Sequence, residues 1–141
     1  MLQLTAKPHF TPSSVYASVE YGSAVAEEEG GSWEMIHDDH GYWQLPLVIR
    51  PIPHTQFVDA ATPYGYGGLH IAEHLTDVEA VAYWRETIAL LRDRGVVSLF
   101  LRFPPLPSPP GTTGRQSSGT GSTRCFQSYS ETYRHVREHV E

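Results

Sequence analysis

The sequence predicts a mixed α/β domain followed by a tail of different composition, on three observations. A hairpin pattern occupies residues 33 to 49, a strand–loop–helix–strand succession occupies 57 to 103, and beyond Phe103 the chain turns to Pro, Gly, Ser and Thr. Strand, helix and strand in that order make a βαβ unit, whose strands are most often parallel and joined by a right-handed crossover. The expected sheet is therefore mixed, with an antiparallel hairpin first and a parallel addition later.

Size and charge bound what such a domain can do. At 141 residues the chain has room for one core and not for two comfortable ones. Lys and Arg number 10 against 16 Asp and Glu, a net charge of -6, which gives no general attraction for a phosphate backbone or an anionic membrane. The longest apolar run, Val96 to Leu101, is far short of the ~20 residues that span a bilayer, so no membrane span is expected. Met1 to Phe10 lacks the apolar centre of a signal peptide. Cys125 is the single cysteine, which forbids an internal disulfide and fits a reducing cytoplasm, the expected location.

Taken in order, residues 1 to 12 read as an irregular entry. Val15, Tyr16 and Val19, with Ser13 or Ser14 to cap, predict a short helix ending near Gly22, and Ala24 to Glu29 a second turn stopped by Gly30-Gly31. Trp33 to His37 and Tyr42 to Ile49 are extended runs joined by Asp38-Asp39-His40-Gly41. Pro46 has no N–H and argues for an edge or a bulge in the second run. Phe57 to Ala61 is a third strand. Thr76 and Glu79 fit a capping box, and Val81, Trp84, Ile88 and Leu91 give the following helix one apolar face. Gly95 suits its C-terminal cap. Val96 to Phe103 is nearly all apolar, which predicts a strand covered on both faces.

The boundary after Phe103 is compositional. Prolines at 104, 105, 107, 109 and 110 cannot continue a sheet, and 111 to 123 is nearly all Gly, Ser and Thr, which predicts disorder. Residues 1 to 110 hold 6 basic and 13 acidic side chains, a net of -7; residues 111 to 141 hold 4 and 3, a net of +1. A short helix is expected at 131–141, marginal without a surface to pack on. The division is thus 1–107 for the domain and 108–141 for the tail.

The least ordinary stretch is Thr62-Pro63-Tyr64-Gly65-Tyr66-Gly67-Gly68, at the switch from strand to helix. Gly65, Gly67 and Gly68 can take φ > 0 or admit a close neighbour, and the two tyrosines offer flat faces and hydroxyls. A tight connection packed on the core edge and a ligand-binding loop explain it equally well. Ligands of mixed sheets sit at the C-terminal ends of parallel strands, where this loop lies. Asp59 could line that site or cap the loop's N–H groups. Arg50 and Arg102 could grip a carboxylate or phosphate, or pair with the acidic surface.

Leu45-Pro46-Leu47-Val48-Ile49-Arg50, Asp59-Ala60, Pro63-Tyr64-Gly65-Tyr66-Gly67-Gly68 and Leu99-Phe100-Leu101-Arg102-Phe103 together resemble the N-terminal part of FemAB-like proteins, members of the GNAT acyltransferase superfamily. The resemblance spans roughly residues 13–107. It implies the GNAT-like mixed sheet and transfer of an acyl or aminoacyl group to an amine. Acyl-coenzyme A or aminoacyl-tRNA would be the donor, with tRNA entering only in that role, and a small molecule or peptidoglycan precursor the acceptor. Substrate-binding residues would be Asp59, Tyr64, Gly65, Tyr66, Gly67, Gly68, Arg50 and Arg102. Members of the family are longer and carry a second GNAT-like half holding much of the donor site. Nothing in residues 108–141 resembles it, and Arg102-Phe103-Pro104-Pro105 replaces the usual Arg-Phe-His-Pro. A partial or truncated domain, inactive by itself, is therefore one expectation, and no catalytic residue is assigned.

Two other readings belong to different classes. A non-catalytic binding or accessory module would keep the acceptor pocket without the donor half. A zinc hydrolase would use His70-Ile71-Ala72-Glu73-His74 or His135-Val136-Arg137-Glu138-His139, both matching H-x-x-E-H, a motif that needs a regular helix and a further ligand. His37-Asp38-Asp39-His40 could bind a metal, though a solvated turn explains it more simply. Finally, an open strand at 96–103 would leave an apolar edge that invites pairing with a second copy.

Overall fold

The structure, a computed structural model, describes residues 1–65 and 67–102. The elements are β1 (Gln3–Thr5), a 3₁₀ turn (Val15–Ala17), α1 (Val19–Glu29), β2 (Ser32–His37), β3 (Trp43–Pro51), β4 (Val58–Ala61), β5 (His70–Ile71), α2 (Asp77–Asp93) and β6 (Val96–Phe100). The tail and the helix expected at 131–141 lie outside the described residues. No described helix is long and apolar enough to cross a membrane.

The hairpin forms as its alternation predicts. β2 and β3 pair antiparallel, from Ser32 opposite Ile49 to His37 opposite Gln44. Asp38 fixes the turn by accepting from the backbone N–H groups of Trp43 at 2.9 Å and His40 at 3.3 Å, and Gly41 takes φ 73°. β1 adds antiparallel to β2, so the entry segment expected to be irregular begins with a strand. Three residues are too few to show a period in the sequence.

β4 runs antiparallel to β3, and β6 runs parallel to β4, as expected of the βαβ unit. The six strands make one mostly antiparallel sheet in the order β1-β2-β3-β4-β6, with β5 paired to the start of β3. Between β4 and β5, eight residues (62–69) stand opposite only three (45–47) of β3. The unusual loop is thus a long excursion from one interrupted strand. Pro46 lies opposite that interruption. It is in an interior strand, which corrects the edge expectation, yet its missing N–H costs no ladder bond to β4 or β5 because neither reaches it.

Both faces of the hairpin are covered. Ile36, Leu45, Leu47, Ile49 and Ala60 meet Ala80, Trp84 and Leu91 of α2 on one side. Trp33, Met35 and Val48 meet Ala17 and Ala26 on the other, where α1 lies. Apolar side chains at both odd and even positions of β3 follow from this double burial.

The helices obey their caps more closely than their predicted interiors. Thr76 and Glu79 form the full capping box, Gly95 takes φ 83° after α2, and Arg94 reaches Glu34 at 3.2 Å. Buried positions are Ala80, Trp84, Thr87 and Leu91, so Val81 and Ile88 lie at the margin of the face rather than within it. Small Ala80 and polar Thr87 carry no hydropathy signal, which is why the stripe was displaced by a residue. α1 is one helix from Val19 to Glu29, capped by Ser18 and by Gly30 at φ 71°. The expected break at Gly22 is absent. Gly22 stays helical because the Trp33 indole occupies the place of its side chain, with a Cβ only 1.9 Å from Cδ1 and Nε1.

β6 corrects a further expectation. Val97 and Phe100 are 58% and 61% exposed, so the strand is not covered on both faces. It is the sheet edge; α2 packs on one side, while α1 packs mainly on β2 and β3.

Candidate ligand-binding site

The excursion leaves the C-terminal end of β4 beside the C-terminal end of its parallel neighbour, β6. Thr62, fully buried, ties the two together. Its N–H donates to the Phe100 carbonyl at 3.0 Å, its Oγ1 accepts from the Arg102 N–H at 2.8 Å, and its carbonyl accepts from Arg102 Nη1. Both the backbone and the guanidinium of Arg102 are therefore held by one residue. The guanidinium carbon stands 5.1 Å from the centre of the Phe100 ring and 6.0 Å from that of Tyr64, within cation–π reach of each.

Tyr64 is 71% exposed, and its carbonyl accepts from the Tyr21 hydroxyl of α1 at 2.7 Å. Gly65 takes φ 96°, and a Cβ there would come within 2.7 Å of the Tyr16 ring; at Gly67 it would come within 3.0 Å of the Tyr16 Cβ. The loop thus lies flat on Tyr16, which meets Tyr21 edge-on at 5.3 Å. Packing on Tyr16 explains these two glycines. Gly68 is half-buried, and Tyr66 lies outside the described residues.

Arg50 and Asp59 form a separate pair. They are opposite one another across β3 and β4, with Arg50 Nε to Asp59 Oδ1 at 2.9 Å and Nη2 to Oδ2 at 3.3 Å, while Nη1 reaches Glu29 at 3.2 Å. The hydrogen bond to Asp59 raises the Arg50 pKa above its ordinary value, against the burial that lowers it. Asp59 is thus engaged by Arg50 rather than by the loop's N–H groups. Arg102 differs, because no carboxylate lies within ion-pair distance of it among the described residues. Of the expected site residues, the structure brings together Tyr64 and Arg102 and sets Arg50 with Asp59 nearby on the sheet.

Sequence reading missed Phe100 and Tyr21 as parts of this arrangement, and named Thr62 only as the start of the loop. Phe100 was within reach, since two positions along a strand return to the same face and Arg102 was already singled out. Tyr21 carried no such signal, being 43 residues from the carbonyl it holds.

Among the described residues the metal motifs do not assemble. His70 is in β5 and His74 precedes α2, so the H-x-x-E-H spacing is not helical here. The second copy lies outside the described residues. Among the described residues no three His, Cys, Asp or Glu side chains gather to hold a metal. His37 is buried with Nδ1 2.8 Å from the Asp38 carbonyl, and Asp38 is used by the turn.

Burial pushes the His70 imidazole below its ordinary pKa. The unfolded chain then binds a proton at a pH where the folded chain does not, so stability falls as pH drops through the ordinary histidine range. We expect the urea midpoint to fall between about pH 7.5 and 5.5, and His70→Gln to flatten that slope. An identical slope in the variant would assign the acid sensitivity to other groups.

No protein-family model, no curated protein and no solved structure matches the chain.

Proposed function

We propose that the chain is the acceptor-binding part of a FemAB-type acyl- or aminoacyltransferase of GNAT-like fold, and that by itself it binds its ligand without turning it over. Arg102 carries this reading: a guanidinium fixed by Thr62, flanked by Tyr64 and Phe100, and paired with no carboxylate among the described residues. Its planar fork suits a carboxylate or phosphate, and the rings suit the apolar groups next to one. The resemblance of Pro63 to Gly68 and Asp59-Ala60, the mixed sheet and the position at the ends of the parallel strands support the assignment.

Acyl transfer also needs a base for the amine and donors for the oxyanion. Asp59, the only carboxylate among the expected site residues, is neutralised by Arg50. The donor, acyl-coenzyme A or aminoacyl-tRNA, would then be held by a second half, and a cytoplasmic location accords with either.

Titrating the full chain with a carboxylate-ended peptidoglycan precursor tests the reading. Saturable binding is expected, weakened about tenfold or more in Arg102→Gln, as befits loss of a charged hydrogen bond. Arg102→Lys should not restore it. Labelled acyl-coenzyme A or aminoacyl-tRNA should yield no acylated product. Equal affinity in wild type and Arg102→Gln would remove the site, whereas turnover would return the chemistry to this chain.

A further inference from the structure

The loop that carries Tyr64 has one firm end and one soft end. Upstream, Thr62 and Pro63 are fully buried, and Thr62 is bonded to both Phe100 and Arg102. Pro63 adds a fixed φ just before Tyr64. Downstream, Gly65 takes φ 96° and Gly67 and Gly68 follow, residues without a Cβ and therefore with wide backbone freedom. Tyr64 stands at the junction with most of its surface in solvent. Where its ring lies depends on what orients the peptide that follows it.

That peptide is gripped from the start of α1. The Tyr21 hydroxyl donates to the Tyr64 carbonyl at 2.7 Å, across 43 residues of chain. Tyr16, in the 3₁₀ turn, lies against Gly65 and Gly67 and meets the Tyr21 ring edge-on. Ser18 sets the two tyrosines relative to one another: its hydroxyl donates to the Val15 carbonyl at 2.6 Å and accepts from the Tyr21 N–H at 3.3 Å. One side chain thus closes the 3₁₀ turn and caps α1. The outcome is a two-ring shelf, with the loop lying on one ring and bonded to the hydroxyl of the other.

We propose that Tyr21 is a positioning residue of the Arg102 site. Its hydroxyl, seated by Ser18 and Tyr16, holds the Tyr64 peptide so that the Tyr64 ring stays beside the Arg102 guanidinium and walls one side of the acid-binding fork. A ring held there keeps water from the guanidinium, and a charged hydrogen bond is stronger where water is kept out. The effect of Tyr21 on affinity rests on the proposed binding role of Arg102; its placement of Tyr64 does not.

Tyr21→Phe keeps the ring against Tyr16 and deletes the hydroxyl. In the full chain it should weaken binding of the carboxylate-ended peptidoglycan precursor about three- to tenfold, as for loss of one hydrogen bond. The urea midpoint should stay in place, because the bond it removes is exposed. Tyr64→Ala should weaken binding at least as much, while keeping the carbonyl that Tyr21 holds. With Tyr64→Ala in place, Tyr21→Phe should change affinity by less than about twofold. A hydroxyl that merely supported the fold would weaken both backgrounds equally. The NMR resonance of the Arg102 Nε–H reads the placement without ligand, since a ring beside the guanidinium shifts it. Tyr21→Phe and Tyr64→Ala should move that resonance in the same direction. An unmoved resonance in Tyr21→Phe, or equal losses of affinity in the two backgrounds, would overturn the proposal. Absence of binding in the wild type would instead remove the ligand role of Arg102, and the resonance alone would then decide whether Tyr21 places Tyr64.

Discussion

Replacing Trp43 by alanine is expected to cost about 3–5 kcal/mol, the range for truncating a buried aromatic, and so a large part of the ~5–15 kcal/mol that holds a domain of this kind together. Trp43 is fully buried at the start of β3, on the α2 side of the sheet. Its ring meets Trp84 edge-on at 5.4 Å and Tyr83 at 5.6 Å, so truncation removes two aromatic contacts as well as apolar area. The cavity would open where β3 and β5 pair beneath α2. Trp43→Phe separates the contributions. It keeps a ring in the site and deletes the indole N–H, which has no hydrogen-bond partner among the described residues. Because an orphaned donor stabilises nothing, phenylalanine should recover more than half of what alanine loses. Urea unfolding followed by circular dichroism checks both, with a lower midpoint and an unchanged slope. A midpoint for Trp43→Ala close to that of the parent would show that α2 does not depend on this contact.

How much of this was legible in advance depended on whether the cause was local. The capping box of Thr76 and Glu79, the Asp38 turn and the alternation of Trp33 to His37 are short-range signals, and each reads directly onto the structure. β1 and β5 have three and two residues, too short to carry a period, and exist because neighbouring strands accept them. The exposure of β6 was hidden for another reason. An apolar strand looks buried in sequence, but whether it is buried depends on how far α1 and α2 extend across the sheet, which no local pattern states.

The site was legible in the same partial way. The string from Thr62 to Gly68 falls on the loop that Arg102 adjoins, and Arg102 was named with it. That Arg50 meets Asp59 follows from the register of β3 and β4, which the residues alone did not set. Once the register is known, the roles of the two arginines separate. Arg50 is engaged by two carboxylates; Arg102 is held by backbone and ring contacts and pairs with no carboxylate among the described residues. Gly65 and Gly67 both lie against Tyr16, which leaves no room for a Cβ at either.

Gly22→Ala should destabilise the protein, against what helix propensity dictates. In an exposed helix interior the substitution gains about 1 kcal/mol. Here the new methyl would lie 1.9 Å from two atoms of the Trp33 indole, and that ring is buried among Met35, Val48, Ala17 and Ala26. Overpacking of a closed site costs about 1–3 kcal/mol, and a contact this short belongs at the upper end. The net expectation is a loss of about 2 kcal/mol, read as a lower urea midpoint. A double-variant cycle assigns the cause. Trp33→Leu alone should be destabilising through the space it leaves, but with Trp33→Leu in place Gly22→Ala should become neutral or favourable, giving a coupling of about 0.5–3 kcal/mol, as for residues in contact. If Gly22→Ala instead raised the midpoint in the parent, Gly22 would be an ordinary helix residue, and the seating of α1 against Trp33 would have to be redrawn.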